Sequence, residues 1–185
     1  MKQETNLKII ISGPVGAGKS SAIASLSDIK PVVTDVKASD EVSQMKEATT
    51  VAMDYGTINL GEHTIHLYGT PGQQRFDFMW DILSEGALGL IVLIKHDSPD
   101  PVGDLKSYTD AFAHRLDSMP LCVGITHTDK KPAGSLNDYH EVVSRWGNVP
   151  VFTVDGRSKK DMNLLLMSLL GVIEPDIIKP LVSNL

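Results

Sequence analysis

Apolar residues fall along this chain in short, separated runs whose period changes from one run to the next. Leu7 to Ser12 is a short apolar run, and Leu88 to Ile94 and Leu121 to Ile125 continue without a polar face, the pattern of strands buried on both sides. Val51 to Leu60 and His63 to Tyr68 alternate in character around Leu60-Gly61-Glu62 and predict a hairpin, and Val149 to Val154 predicts a sixth strand. Leu105, Tyr108, Phe112 and Leu116 lie three or four apart and mark one side of a helix. Further helices are predicted from Lys19, over Leu136 to Trp146 and over Met162 to Leu170. Thr34 to Thr50 is too rich in charge and hydroxyls to be core and reads as a long mobile loop or partly folded connection. Alternating strands and helices of this kind predict an α/β fold with a mainly parallel six-stranded sheet and helices on both faces. Neither an internal repeat nor a Pro/Gly linker divides the chain, so one domain over residues 1–185 is expected.

The strongest chemical signal lies between the first strand and the first helix. Gly13-Pro14-Val15-Gly16-Ala17-Gly18-Lys19-Ser20 satisfies the phosphate-loop pattern G-x-x-x-x-G-K-[ST] at every specified position. Glycines let the backbone wrap close to phosphate, its N–H groups donate to phosphate oxygens, and the following helix presents its positive end. Lys19 is expected on the outer phosphates and the Ser20 hydroxyl on magnesium. This motif alone specifies a nucleoside triphosphate with Mg2+, but neither a base nor a reaction.

Composition narrows the setting. With 185 residues, 42% hydrophobic and 22% charged, the chain can bury a core without disulfides or metals, and its one cysteine, Cys122, sits in an apolar run. A formal net charge of −6 argues against nonspecific nucleic-acid binding. No run is long enough for a membrane span, the start MKQETNLKIII has no secretory pattern, and the end LVSNL has no cysteine for a prenyl anchor. A cytoplasmic location is therefore the expectation.

Two further segments carry a family resemblance. Thr50-Val51-Ala52-Met53-Asp54-Tyr55 resembles the switch I segment T-I-G-V-D-F of Rab-type GTPases, and Tyr68-Gly69-Thr70-Pro71-Gly72-Gln73-Gln74-Arg75-Phe76 resembles their W-D-T-A-G-Q-E-R-F. Order and separation agree from about Leu7 to Leu170. The chain is thus similar to Ras-like small GTPases, and closest to a bacterial branch related to the gliding-motility GTPases, whose members commonly carry G-T-P-G-Q. The resemblance implies a Ras-like fold, with Thr50 as the magnesium and outer-phosphate sensor and Thr49 as a less favoured alternative. It implies that Gly72 presents its N–H to the γ-phosphate and that Gln73 orients the attacking water. Gly69 departs from the pattern, because an aspartate usually stands there and holds the magnesium shell through water. Two compensations are open: Asp54 approaches from the adjacent strand, or Ser20, Thr50, phosphate and water suffice. The second is preferred, since the position matched by Asp54 does not normally bind magnesium.

The base pocket follows from the same resemblance. Thr126-His127-Thr128-Asp129 resembles the guanine motif N-K-x-D, in which the Asp129 carboxylate would accept the guanine N1–H and 2-amino group. Adenine offers an acceptor at N1 and no amino group, a mismatch worth several kcal/mol when the groups are buried. Thr126 replaces an asparagine whose amide ties the pocket to the phosphate loop, and that tie is expected to be lost. His127 replaces a lysine that covers the base, and its ring offers a similar flat cover. Asp155-Gly156-Arg157 resembles the final S-A-K loop, where only the Gly156 N–H is needed for guanine O6, and Asp155 and Arg157 are expected to shape the loop.

Weaker features have plain explanations beside them. His63 and His66 share a strand face only if a bulge intervenes, and His114 and His140 read as surface residues. Phe76, Phe78, Met79 and Trp80 fit either core packing or a partner surface that changes with nucleotide, and the apolar end from Val172 to Leu185 fits either a cap on the sheet edge or a protein contact. The expected function is a slow GTPase switch using Mg2+ with GTP as substrate and GDP as product. An interaction module that hardly hydrolyses GTP, or a P-loop ATPase or kinase, are the alternatives. A regulatory protein partner is expected, a roadblock-type activating protein being one candidate.

Overall fold

The computed structural model describes residues 6–36, 51–60, 63–72 and 77–173. β1 (Asn6–Ser12) leads through the phosphate loop into α1 (Lys19–Leu26), followed by β2 (Val32–Val36), β3 (Val51–Leu60), β4 (His63–Gly69) and α2 (Asp77–Ser84). The second half runs β5 (Gly89–Lys95), α3 (Pro101–Ala111), α4 (Ala113–Leu116), β6 (Leu121–Thr126), α5 (Asn137–Val143), β7 (Val151–Thr153) and α6 (Lys159–Val172). The sheet order is β2-β3-β4-β1-β5-β6-β7. β1 pairs in parallel with β4 and β5, and β5-β6-β7 continue in parallel, while β3 runs antiparallel to both its neighbours.

All six expected strands are present, arranged with the Ras-like connectivity of a P-loop NTPase-like fold. A seventh, β2, adds at the β3 edge and includes Thr34 to Val36, residues expected in the long connection. The remainder of that connection, residues 37–50, lies outside the described residues, as do Phe76, the side chain of Phe78 and residues 174–185.

β1 shows why the sheet needs two helical layers. Ile9 and Ile11 face one layer with Ala22, Ile23 and Leu26 of α1 and Leu165, Leu166 and Leu169 of α6. Ile10 faces the other, with Trp80 of α2, Leu105 and Tyr108 of α3 and Tyr139 of α5. A strand alternating between two cores must be apolar on both sides, the pattern seen over Ile9 to Ile11 in β1, Leu90 to Ile94 in β5 and Leu121 to Ile125 in β6. The helix expected through Leu105, Tyr108, Phe112 and Leu116 keeps all four side chains buried but breaks at Phe112 into α3 and α4. α3 starts where Asp100 accepts a hydrogen bond from the Gly103 N–H at 2.9 Å and Pro101 opens the first turn. α6 starts three residues before its first apolar position, because Ser158 caps it and accepts from the Asp161 N–H.

The hairpin is regular, with Leu60 paired to His63 and Thr57 to His66. His63 and His66 therefore point to opposite faces, and His66 is hydrogen-bonded to the Tyr55 hydroxyl at 2.7 Å. Among the described residues no helix is long and apolar enough to cross a membrane.

Layer packing leaves little slack under β6. A β-carbon on Gly124 would lie 2.8 Å from both Leu165 Cδ1 and Leu93 Cδ2 and 2.9 Å from Val154 Cγ2. Gly124→Ala is expected to lower unfolding free energy by about 1–3 kcal/mol through overpacking. Urea denaturation with an unchanged m-value is the measurement, and a loss below about 0.5 kcal/mol would show that the α6 layer yields freely.

Candidate functional site

The phosphate loop is built by close approach. Gly13 has φ 139° where the chain leaves β1, and a β-carbon there would collide with the Leu93 carbonyl of neighbouring β5. Gly18, at φ 95°, turns the chain in the left-handed region directly into α1. The turn folds Lys19 back over its own loop. Its Nζ donates to the Gly13 carbonyl at 2.7 Å and the Pro14 carbonyl at 2.9 Å. An ammonium carries three N–H donors, so one remains for a ligand. Burial pushes the Lys19 pKa down from 10.5 to about 8, against the attraction of Asp54, which raises it.

Asp54 stands on β3 directly opposite Gly69 of β4. Its Oδ2 accepts a hydrogen bond from the Ser20 hydroxyl at 2.6 Å. Of the two compensations for Gly69, the structure thus brings the less favoured one, Asp54, onto the expected magnesium-binding hydroxyl. The hairpin register was the signal: six residues back from Leu60 and six on from His63 pair 54 with 69. Gly72 lies against the loop, where a β-carbon would be 2.7 Å from both Lys19 Nζ and the Val15 nitrogen. Thr49, Thr50, Gln73 and Arg75 lie outside the described residues.

A cavity of about 590 Å³ runs from the phosphate loop past Thr126 to Lys130 and on to Asp155, Gly156 and Arg157. Its volume is in the range of small-molecule sites. The expected loss of the tie at Thr126 is corrected by the structure. Although shorter than asparagine, the Thr126 side chain is buried, and its hydroxyl lies 3.0 Å from the Ala17 carbonyl of the phosphate loop and 3.2 Å from that of Ile94. The same hydroxyl lies 3.0 Å from His127 Nδ1, and His127 itself holds a left-handed φ of 60°. Gly156 also touches the loop, since a β-carbon there would sit 3.0 Å from the Gly18 carbonyl. Asp129 is exposed at the cavity wall.

Asp155 and Arg157 engage each other. The Asp155 carboxylate accepts from the Arg157 side chain at 2.8 and 2.9 Å and from its backbone N–H at 2.9 Å. Those side-chain hydrogen bonds, then the backbone one, hold its pKa down at about 2. Asp161 of α6, not singled out in the sequence, braces this loop by accepting from the Asp155 N–H at 2.9 Å. Its signal was the capping spacing Ser158 to Asp161.

A family described as "conserved hypothetical ATP binding protein" matches residues 27–144, more than half of the chain. The chain belongs to this family. The matched span begins after the phosphate loop, so loop and family are separate lines of support for a P-loop NTPase-like nucleotide-binding protein. An uncharacterized protein of Methanocaldococcus jannaschii is 30% identical over 95 residues, covering 50% of this chain and 53% of that protein. The chain therefore spans about half the length of the curated relative it matches.

Buried Lys19 ties stability to pH with a definite sign. The folded protein holds this proton less tightly than the unfolded chain, so the penalty is full below pH 8, shrinks towards 10.5 and is gone above it. Lys19→Met is expected to stabilise the ligand-free protein at pH 7 by on the order of 1–3 kcal/mol, less whatever its two hydrogen bonds contribute, while greatly weakening triphosphate binding. The difference between the two proteins should narrow as pH rises through that window. Urea denaturation at about pH 7 and pH 10 checks this, and a difference that does not change with pH would refute it.

Proposed function

We propose that this protein binds a guanine nucleoside triphosphate with magnesium and hydrolyses it slowly, acting as a nucleotide-dependent switch. The observation that carries the proposal is the Ser20–Asp54 contact of 2.6 Å beside Lys19, at one end of a cavity whose other end holds Asp129. A hydroxyl and a carboxylate are oxygen donors suited to a hard cation. Ser20 and Asp54 would hold Mg2+ together with phosphate and water. When bound, the ion supplies charge neutralisation on the phosphates. Lys19 adds a fixed cation, the loop N–H groups orient the phosphates, and the Thr126–Ala17 contact couples the base loop to the phosphate loop.

Guanine is favoured because Asp129 holds the motif position at which a carboxylate meets N1–H and the 2-amino group. The description of the family instead names ATP, and supports adenine as the second reading. Thr50 is proposed as sensor, the Gly72 N–H as hydrogen-bond donor to the γ-phosphate, and Gln73 as water-positioning group. Slow turnover is expected because Arg157, which among the described residues is the arginine that lines the cavity, is already paired with Asp155. A regulatory partner supplying an arginine would add roughly 10³ to 10⁵ in rate.

Isothermal titration with GDP, GTP, ADP and ATP in magnesium tests the reading. Tighter binding of the guanine pair is expected, and Asp129→Asn should cut the guanine preference at least about tenfold. A wild type that prefers adenine, or a preference untouched in Asp129→Asn, would place base recognition elsewhere. Asp54→Asn should raise the magnesium concentration needed for GTP binding by about 10- to 100-fold, the range for lost support of a metal site. An unchanged magnesium titration would remove Asp54 from the metal site.

A further inference from the structure

Two aromatic residues of the core reach out of it to a pair of successive carbonyls. Trp80 of α2 donates from its indole nitrogen to the Pro71 carbonyl at 3.2 Å, and Tyr108 of α3 donates from its hydroxyl to the Gly72 carbonyl at 2.8 Å. Trp80 is 3% and Tyr108 2% exposed. Their rings stack at 4.9 Å and 23°, and Trp80 stacks in turn on Phe112 at 5.5 Å and 7°. Each is a large, stiff side chain whose polar tip has a partner. The two carbonyls belong to successive residues, of which Gly72 lies against the phosphate loop.

Peptide geometry makes the pairing directional. In a trans peptide the C=O and the following N–H point oppositely across one plane, and no cis peptide occurs among the described residues. Trp80 holds the Pro71 carbonyl on the core side, so the Gly72 N–H of that same peptide is turned away from Trp80. Tyr108 holds the next carbonyl and thereby fixes the rotation on the other side of the Gly72 α-carbon. Between them, Gly72 rests on the loop beside Lys19 Nζ and Val15, where a side chain would have no room.

We propose that Tyr108 and Trp80 are positioning residues that hold the Gly72 peptide for the terminal phosphate of a bound nucleoside triphosphate, so that the protein tells tri- from diphosphate through the stacked core between α2 and α3. This rests on the nucleotide-binding reading above. Neither residue touches the nucleotide. Their contribution is to have the Gly72 N–H oriented before the phosphate arrives, which avoids an ordering cost on binding. A diphosphate lacks the group that this N–H would meet and gains nothing from the arrangement.

The test compares wild type, Tyr108→Phe and Trp80→Phe by titration with GDP, GTP, ADP and ATP in magnesium, with circular dichroism and thermal unfolding as controls for folding. Tyr108→Phe keeps the ring and removes only the hydroxyl, and Trp80→Phe removes the indole donor should the first variant fold poorly. Triphosphate affinity is expected to fall about five- to tenfold, the cost of one lost hydrogen bond, with diphosphate affinity unchanged within about twofold. A folded variant whose triphosphate-to-diphosphate ratio matches wild type, or in which both affinities fall equally, would overturn the proposal and leave nucleotide binding standing. A wild type that binds none of the four would overturn the nucleotide reading and this inference with it.

Discussion

The ammonium of Lys19 is buried in the turn between β1 and α1, and much of the local architecture follows from keeping that charge acceptable. A desolvated cation needs acceptors close by, or it gives up its proton. Two come from the loop itself, because the glycine turn brings the Gly13 and Pro14 carbonyls to within 2.7 and 2.9 Å of the side chain that leaves the loop's end. The third influence is Asp54, which reaches the Ser20 end of the turn from β3. These acceptors do not restore an ordinary lysine, since burial still dominates. A triphosphate is the kind of ligand that would complete the set, so the turn is suited to anions.

The sheet delivers the rest of the site to the same place. In β5, β6 and β7 the parallel register brings the carboxyl ends together, with Lys95 opposite Thr126 and Ile125 opposite Thr153, while β1 ends earlier, with Ser12 opposite Val92 of β5. The phosphate loop, the Thr126 to Lys130 segment and the Thr153 to Arg157 segment thus line one cavity although more than a hundred residues separate the first from the others. Ligand sites at the carboxyl ends of parallel strands are the general rule for open α/β sheets. Local contacts tie these segments together: the Thr126 hydroxyl lies on the Ala17 carbonyl, Gly156 lies close to Gly18, and Asp161 accepts from the Asp155 backbone.

What the sequence makes legible here is what local pattern controls. Central strands declare themselves because a residue such as Ile10 and its neighbours Ile9 and Ile11 are all buried, on alternate sides. The phosphate loop declares itself because its glycines answer steric demands that other residues cannot meet. β2 is silent because an edge strand carries no obligatory apolar run, and its pairing with β3 depends on where the chain returns. The break at Phe112 is silent because burial of Leu105, Tyr108, Phe112 and Leu116 satisfies a helical spacing whether or not the backbone stays continuous. Thr126 misleads because side-chain length suggests a broken tie, whereas the distance to Ala17 is set by packing of β6 against the loop. Tyr108 reads as core and Trp80 as either core or partner surface, and both are core. Only three-dimensional placement shows that their polar tips hold Pro71 and Gly72.

Gly69 and Asp54 are best understood as one position shared by two strands. An aspartate at the end of β4 is what the Ras-like pattern leads one to expect, and glycine looks like a missing ligand. Cross-strand pairing changes that picture, because Asp54 is the direct partner of Gly69, and a β-carbon on residue 69 would sit 3.2 Å from Asp54 Cβ, 3.4 Å from its Oδ2 and 2.9 Å from Ile23 Cδ1. Opposed residues on neighbouring strands occupy the same patch of sheet, and like charges placed there repel. A carboxylate at 69 would therefore be a second anion crowding the first beside Ser20, and would press on the core side chain of Ile23. The glycine leaves the space in which Asp54 lies and receives the Ser20 hydroxyl. Exchanging the carboxylate between strands also changes which element carries it. β4 is hydrogen-bonded to central β1, whereas β3 lies one strand further out and follows directly on residues 37–50. A cation held by Asp54 would thus be mechanically joined to the outer hairpin, and the register of that hairpin would set the carboxylate's distance from Ser20.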